Sequence, residues 1–147
     1  MVRKATLDDL KSLNKLLKAL FEQESEFKVD KKLQTKGLKK IIKSKKLGDI
    51  FVYEKNGKVI AMVNVLYSYS TALGKKVATL EDMVVLKKYR QKRYGTKLLR
   101  SVLKKLQKSN VARVTLLSDF DNFKAHKFYK RHAFNRSSMV VFRKQEM

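Results

Sequence analysis

Apolar residues recur at three- and four-residue steps in the first third of the chain. They lie on one face of a helix between Leu10 and Phe21, and a second, shorter helix is predicted near Lys32–Ser44. Thr6–Asp9 has the spacing of a capping box, and Val2–Ala5 is a short strand candidate. The residues predicted to face inward from the two helices are Leu10, Leu13, Leu16, Leu17, Leu20, Phe21, Leu33, Leu38, Ile41 and Ile42.

The middle of the chain has the composition of strands. Ile50–Glu54 and Lys58–Tyr69 are predicted strands, and the Asn56-Gly57 pair between them supplies the positive φ values of a type I′ hairpin turn. A turn at Gly74 leads into a third apolar run, Val77–Val85. Three antiparallel strands are therefore predicted in the middle of a sheet.

The last part of the chain alternates between the two patterns. It predicts a helix over Gly95–Lys108, a buried strand over Val111–Leu117, a helix from Asp119–Asn122 to Arg131, and a closing strand at Val140–Phe142. The predicted order is β-α-α-β-β-β-α-β-α-β. This order is typical of a mixed α/β fold, here in one domain that spans residues 1–147.

Composition narrows the possible functions. With 147 residues, of which 44% are hydrophobic, the chain can bury one sizeable core. It contains no cysteine and only two histidines, so we expect neither thiolate catalysis nor a metal site. No apolar run approaches membrane-spanning length and no apolar signal region opens the chain, so a cytoplasmic protein without a membrane partner is expected.

Charge is the unusual feature of the composition. Thirty-six Lys and Arg residues face 13 acidic ones, for a formal net charge of +23. Such a protein is expected to bind nucleic acid or other polyanions non-specifically at low salt. Because the lysines are spread through every segment, the pattern favours a solvated basic surface over a dedicated nucleic-acid site.

The segment Thr79–Arg100 organises the chain. An apolar strand passes through a basic turn, Lys87–Arg93, into the start of a helix. A helix N-terminus exposes unpaired N–H groups and the positive end of the helix dipole. The combination predicts a phosphate site, and a nucleotide or pyrophosphate-bearing cofactor is the expected ligand class.

Two motifs at compatible spacing carry a resemblance to a known family. Arg90-Gln91-Lys92-Arg93-Tyr94-Gly95 resembles a Q/R-x-x-G-x-G/A cofactor loop, and a second signature is matched by Asn122, Ala125, Phe128-Tyr129 and Ala133-Phe134. Together with the element order, they resemble the GNAT superfamily of N-acetyltransferases over essentially the whole chain. The resemblance implies a central, mostly antiparallel sheet that splits between the fourth and fifth strands and is flanked by about four helices.

Two positions depart from the family pattern, and both lack a glycine. A side chain at Arg93 either crowds the pyrophosphate or swings outward and adds a phosphate contact, and the flexible Arg stem favours the second. Ala133 replaces the glycine after the last helix, where a positive φ costs a residue with a Cβ roughly 1 kcal/mol.

The resemblance also implies a cofactor and its contacts. Acetyl-coenzyme A is the expected co-substrate, with its pantetheine arm along the fourth strand and its pyrophosphate on the loop amides, and no metal takes part. Asn122 would hydrogen-bond the pantetheine, although it is equally a good helix N-cap. The implied cofactor-binding residues are Met83, Val84, Val85, Arg90, Gln91, Lys92, Arg93, Tyr94, Gly95, Thr96, Asn122 and Tyr129.

Two residues are implied for catalysis of direct amine attack in a ternary complex. Tyr129 matches the tyrosine general acid, because a phenol is protonated at neutral pH and can donate to a leaving thiolate; the alternative is a packing aromatic. Glu81, in a Leu80-Glu81-Asp82 segment similar to that of diamine and other small-amine acetyltransferases, is the implied base. The alternative is that Glu81 is a surface acid without a catalytic role. Side chains alternate along a strand, so Glu81 and Asp82 should lie on opposite faces of the sheet unless a bulge intervenes.

The acidic stretch Phe21–Phe27 falls where the family shapes its acceptor site. With Glu81, it gives the predicted substrate-binding set Phe21, Glu22, Glu24, Phe27 and Glu81, which could hold a cationic amine on a basic protein. The alternative is a solvated helix end. The amine itself stays open between small amines, aminoglycoside-like amines, amino acids and protein amines.

A rival function is a catalytically weak, highly basic GNAT-fold protein that binds nucleic acid or another polyanion. The net charge, Arg93, and the basic loops with Tyr89 and Tyr94 favour it, whereas no recognised nucleic-acid motif does. The apolar run Met139–Phe142 favours a homodimer by strand exchange, which the charge of the protein opposes.

Overall fold

The computed structural model describes residues 1–24 and 28–146, and it groups the chain into two compact units, residues 1–117 and residues 118 onward. The first unit holds strands β1 to β5 and helices α1 to α3, and the second holds helix α4. The strands are β1 Val2–Lys4, β2 Gly48–Lys55, β3 Lys58–Ser70, β4 Lys75–Val85 and β5 Val114–Leu116. The helices are α1 Leu10–Phe21, α2 Lys31–Lys43, α3 Tyr94–Lys108 and α4 Phe123–Lys130.

The five strands form one sheet in the order β1-β2-β3-β4-β5, antiparallel except for the parallel pair β4 and β5. This confirms the predicted mixed α/β class. β5 is much shorter than the predicted Val111–Leu117, and it pairs with β4 only from Ala78 to Leu80. Beyond Leu80, β4 therefore has no partner in β5, and the sheet splits at this point.

Helices α1 and α2 cover one face of the sheet. Leu13, Leu16 and Leu17 of α1 are buried in a cluster with Ile50 and Met62. Helix α3 packs against the same strands, and its buried stripe, which lies outside that cluster, covers the other face. The predicted inward residues are confirmed except for Leu33, which is 64% exposed. Leu33 is five residues before the buried Leu38, so it lies about 140° away around the helix.

Turns follow their local sequence. Asn56 and Gly57 have φ values of 50° and 76°, which confirms the predicted β2–β3 hairpin turn. Gly48 begins β2 where the two strands approach closely, because a Cβ there would collide with the carbonyl oxygen of Val65. Gly48 and the Asn56-Gly57 turn therefore mark the two ends of β2.

The second unit consists of α4 and its flanking segments. Asn122 caps the helix, with its side-chain oxygen accepting from the Ala125 amide at 3.2 Å, and Ala133 follows the helix with a φ of 64°. The predicted strand at Val140–Phe142 is wrong: these residues belong to no strand, and Phe142 is 93% exposed. A strand-like composition forms a strand only where a partner is available, and the described residues of this unit contain no strand.

Among the described residues, no helix has the length and apolar character needed to span a membrane.

Candidate active site

Strand β4 is interrupted by a bulge where β5 stops pairing with it. Glu81 opposes Asn64 and Val84 opposes Met62, so Asp82 and Met83 together oppose only one residue of β3. Asp82 adopts a left-handed backbone with a φ of 53°. The strand therefore loses its simple alternation at the split, which is the bulge that the sequence analysis allowed for.

The second half of β4 offers an edge to an extended ligand. Met83, Val84 and Val85 pair with or lie opposite β3 on one side and have no partner in β5 on the other. An extended chain can add to such an edge as an extra strand. The Val85 carbonyl is already in use, since it accepts from the Nε of Arg90 at 2.8 Å.

The loop after β4 is shaped to hold an anion. Gln91 and Arg93 both have left-handed backbones, with φ values of 61° and 67°, and Arg93 immediately precedes α3. In the described chain, none of the amides from Gln91 to Thr96 donates to a backbone carbonyl; the first to do so is Lys97, to Arg93 at 3.0 Å. Such a row of unpaired amides at a helix N-terminus fits a phosphate group.

Arg93 adopts the backbone conformation that suits the glycine of the family motif. Its side chain is exposed to solvent. The left-handed backbone is strained for any residue with a Cβ. The loop conformation is thus kept despite the substitution.

Arg90 is held within the protein rather than free. Its amide donates to Lys87 at 3.2 Å and its Nε donates to Val85. The Gln23 amide, oriented with its oxygen toward the guanidinium, accepts from both terminal nitrogens at 3.0 Å. Arg90 therefore ties the end of β4 to the segment after α1.

The side chain of Tyr94 turns toward the β2–β3 hairpin. Its hydroxyl accepts from the Lys55 ammonium at 2.5 Å, and its ring lies 5.1 Å from that of Tyr53 and 6.1 Å from that of Tyr89. The bond from Lys55 lowers the pKa of the Tyr94 phenol. We call Tyr53, Lys55, Tyr89 and Tyr94 the hairpin cluster; Lys58, Lys88 and Lys97 also lie over its rings.

A buried amide, Asn64, and a partly buried carboxyl, Asp82, lie together at the bulge. Asn64 is 3% exposed, and its Nδ2 lies 3.4 Å from Oδ2 of Asp82, while its Oδ1 has no hydrogen-bond partner in the described part of the chain. Burial raises the pKa of Asp82 to about 6, and the charge of Glu81 adds to this effect, whereas the Asn64 bond opposes it.

Sequence reasoning selected Glu81 at this point and missed Asp82. Glu81 is exposed, and Asp82 is the carboxyl that the protein partly removes from water. The available signal was residue type: aspartate tolerates the left-handed conformation that a bulge requires better than most side chains do.

Tyr129 lies in the second unit. Its ring packs edge-on against Phe128 and Phe134, with centroids 5.2 Å and 5.7 Å away. Burial raises the pKa of its phenol to about 12. The hydroxyl therefore stays protonated at neutral pH, which suits a proton donor.

The neighbouring His126 has a structural contact. One ring nitrogen lies 2.8 Å from the Asp119 carbonyl oxygen, to which it can only donate. This contact holds the imidazole against the loop that precedes α4.

The predicted acceptor residues are only partly described. Phe21 packs against the core, and the amides of Glu22 and Glu24 close the end of α1 onto Lys18 and Phe21. Phe27 and the neighbouring Glu26 lie outside the described residues. Among the residues that are described, no group of His, Asp and Glu side chains is arranged to hold a metal ion.

A mixed sheet that splits beside an amide-lined loop defines the acetyltransferase class of GNAT folds, and comparisons with known proteins agree. The profile of the Acetyltransferase (GNAT) family matches residues 11–134. A comparison with curated proteins gave no significant match.

Solved structures show the same fold. A possible acetyltransferase from Clostridium difficile 630 is 22% identical with a TM-score of 0.91, covering 100% of this chain and 97% of the other. Glucosamine-6-phosphate N-acetyltransferase from Arabidopsis thaliana is 20% identical with a TM-score of 0.77, covering 98% and 97%. An aminoglycoside antibiotic 6'-N-acetyltransferase from Acinetobacter haemolyticus is 17% identical with a TM-score of 0.80, covering 100% and 99%.

The protein belongs to the GNAT family of acetyltransferases. At these identities, the solved structures establish the fold and leave the acceptor open.

Proposed function

We propose that the protein transfers an acetyl group from acetyl-coenzyme A to a primary amine, by direct attack in a ternary complex. The observation that carries the proposal is the loop Gln91–Thr96, whose unpaired amides lie at the end of the unpaired β4 edge. An anion-binding loop next to a free strand edge suits a ligand with a pyrophosphate and an extended amide arm.

The residues of the first unit would hold the co-substrate. The amides of Gln91 to Thr96 bind the pyrophosphate, with Lys92 and Arg93 adding positive charge, and the edge at Met83 and Val84 pairs with the pantetheine. The Arg90 side chain already bridges Val85 and Gln23, so we expect Arg90 to hold the loop in place rather than to bind the pyrophosphate through its guanidinium. Acetyl-coenzyme A supplies the activated thioester when it is bound.

Tyr129 and Asn122 take their roles from the family motif. Tyr129 donates a proton to the departing thiolate, because its phenol is protonated at neutral pH. Asn122 caps α4 through Ala125 and would also meet the pantetheine arm. Glu81 is the base that the family resemblance implies for the incoming ammonium. The acceptor site predicted from the sequence also includes Phe21, Glu22, Glu24 and Phe27, of which Phe27 lies outside the described residues.

The proposed reaction needs no metal and no covalent enzyme intermediate. The acceptor is a small-molecule or protein amine. The cytoplasmic location and the homodimer stay predictions from the sequence.

The first test is calorimetric titration with coenzyme A, acetyl-coenzyme A and inorganic polyphosphate at near-physiological salt. We expect saturable 1:1 binding in the micromolar range that depends on the pantetheine arm. If polyphosphate binds as tightly as the cofactor, and both weaken together as salt rises, the loop is merely a basic patch and the proposal fails.

The second test is Tyr129→Phe, assayed for thiol release over a panel of primary amines. Loss of a general acid lowers kcat by roughly 100-fold or more, with the dissociation constant of coenzyme A unchanged. Tyr69→Phe, on an exposed tyrosine of β3, is the matched control and leaves kcat unchanged. Equal rates for both variants would remove Tyr129 from the mechanism.

The hairpin cluster supports polyanion binding as a second candidate function. Half-buried tyrosine rings surrounded by Lys55, Lys58, Lys88 and Lys97 combine stacking surfaces with positive charge, as single-stranded nucleic-acid sites do. Fluorescence titration with a single-stranded oligonucleotide would show a steep loss of affinity with salt. Tyr89→Ala would weaken binding further than Tyr69→Ala if the cluster stacks bases.

A further inference from the structure

We propose that Asp82, paired with Asn64, accepts the proton of the acceptor ammonium, and that the Asn64 amide serves this carboxyl in both of its protonation states. The proposal rests on the proposed acetyl transfer and assigns the base to Asp82 rather than to Glu81. Asp82 would touch the substrate, whereas Asn64 would act through Asp82 as a positioning residue.

Position favours Asp82 over its neighbour. The bulge places Asp82 where β4 leaves β5, next to the edge proposed for the pantetheine arm. Its left-handed backbone, with a φ of 53°, takes the side chain out of the simple alternation of the strand. Glu81 is exposed, and it lies in register with Asn64 without a side-chain hydrogen bond between the two residues.

Asn64 is the unusual member of the pair. It lies opposite Ile50, which belongs to the core beneath α1 and α2, yet its Oδ1 has no hydrogen-bond partner in the described chain. A buried polar atom without a partner destabilises a protein, and an apolar side chain of the same size would avoid this. The amide at this position therefore calls for a role beyond packing.

The amide can bond the carboxyl before and after proton transfer. The Nδ2 group lies 3.4 Å from Oδ2 of Asp82, within reach to donate to the ionised carboxylate. Once Asp82 is protonated, its hydroxyl can donate to Oδ1 after the amide turns by half a rotation. Because the carboxyl starts with a pKa of about 6, it is mostly ionised at neutral pH and ready to accept a proton.

The charged surroundings of Asp82 are simple. Within the described residues, Glu81 on its own strand is the charge that acts on Asp82, and β3 faces it with the neutral Asn64. β5 consists of Val114, Thr115 and Leu116, which carry no charge. In the described part of the chain, no lysine of α1 or α3 forms an ion pair with Asp82.

The proton balance is complete without a further reactant. One proton passes from the ammonium to Asp82 and then to solvent, which leaves a neutral amine. The amine nitrogen forms a bond to the thioester carbon, and the carbon–sulfur bond breaks. The nitrogen then loses its second proton to solvent, which leaves an amide. The departing thiolate takes a proton from Tyr129 and becomes a thiol, and the resulting phenolate regains a proton from solvent.

The first experiment compares Asp82→Asn with Glu81→Gln in kcat/KM for the acceptor amine as a function of pH. The unsubstituted protein should gain activity as pH rises through about 6, where Asp82 ionises. Asp82→Asn should lose roughly 100-fold or more, and Glu81→Gln, which removes an acceptor-site carboxylate but not the proposed base, no more than about 10-fold. The reverse order of the two losses overturns the assignment.

Asn64→Leu tests the positioning role. Removing the amide takes away the donor that favours the carboxylate, so the acidic limb of the pH profile should move to higher pH. A merely structural role would lower activity equally at all pH values and leave the limb in place, which would overturn the proposal for Asn64. Ser68→Ala, at an exposed position on the same strand, is the control.

A titration of isotope-labelled aspartate carboxyls by NMR, on the protein alone, separates this proposal from the proposed function. The resonance that Asp82→Asn removes should titrate near pH 6, and higher in Asn64→Leu; a value below about 4.5 overturns the proposal even in an active enzyme. Absence of acetyl transfer in the unsubstituted protein overturns the proposed function instead, and that result needs no variant.

Discussion

Two aspartates of the first unit, the buried Asp9 and the partly buried Asp82, have opposite surroundings. Asp9, beside the edge strand β1, is 8% exposed and receives both terminal nitrogens of Arg3 at 2.8 and 2.9 Å and the Thr6 amide at 2.7 Å. Asp82, at the β4 bulge, receives a single amide contact at 3.4 Å.

The consequence is a pKa shift in opposite directions. The bonds from Arg3 lower the pKa of Asp9, whereas burial raises that of Asp82 to about 6. A carboxylate that holds elements together is surrounded by donors. A carboxyl that exchanges protons near neutral pH must lack them, and this difference separates structural from candidate catalytic acids in the same sheet.

The largest expected effect on stability comes from removing the charge of Asp9, the structural aspartate. Asp9→Asn should lower the free energy of unfolding at pH 7 by about 2–4 kcal/mol, because Arg3 then keeps only Glu54 as an ionic partner. Urea denaturation measures it. Asp8→Asn, at the exposed neighbouring position, is the control and should stay within about 0.5 kcal/mol.

Removing the charge of Asp82 should instead raise the free energy of unfolding. The pKa of Asp82 is raised from 3.8 to about 6, so at pH 7 its ionisation costs the folded state up to about 3 kcal/mol, and Asp82→Asn should be more stable by up to that amount. The gain should shrink as the pH falls from 6 and vanish below about 4, where the carboxyl is protonated in both states.

Asp9 gives the mirror image of that dependence. Its stabilisation is present above its ordinary pKa and is lost as the pH falls through the lowered value of the folded state. Urea denaturation at pH values between about 3 and 7.5 checks both carboxyls. A stability gain for Asp82→Asn that does not change with pH would contradict a raised pKa.

The smallest expected effect on stability concerns Glu54, the second ionic partner of Arg3. Glu54→Gln removes the second ionic partner of Arg3, whose oxygen lies 3.0 Å away, while the paired bonds to Asp9 remain. Since Arg3 and Glu54 are both partly exposed, the loss should be about 0.5–1 kcal/mol. A loss as large as that of Asp9→Asn would mean that the two carboxylates share the ion pair equally.

Local signals in the sequence predicted much of this structure. The Asn56-Gly57 turn, the Asn122 cap and the helix stripes depend on residues close in the chain, and the structure confirms them. The loop Arg90–Gly95 was found for the same reason, since its motif is contiguous. The match of residues 11–134 to the GNAT family agrees with that interpretation.

The features of the structure that the sequence did not predict depend on pairing between distant segments of the chain. β5 extends only over Val114–Leu116, Val140–Phe142 forms no strand, and the bulge makes Asp82 rather than Glu81 the partly buried carboxyl. No local pattern contains this information, because strand partners and burial depend on which remote segment lies alongside.

By itself, the amino-acid sequence determined the helices, the hairpin and the basic loop, because periodicity, backbone preference and charge act over a few residues. The acetyltransferase family was indicated by the resemblance of two motifs. Only the tertiary structure decided where β4 stops pairing with β5 and which carboxyl, Asp82 rather than Glu81, is partly removed from water. Desolvation requires the packing of β3 against β4 around Asn64, and that packing exists only in the folded chain.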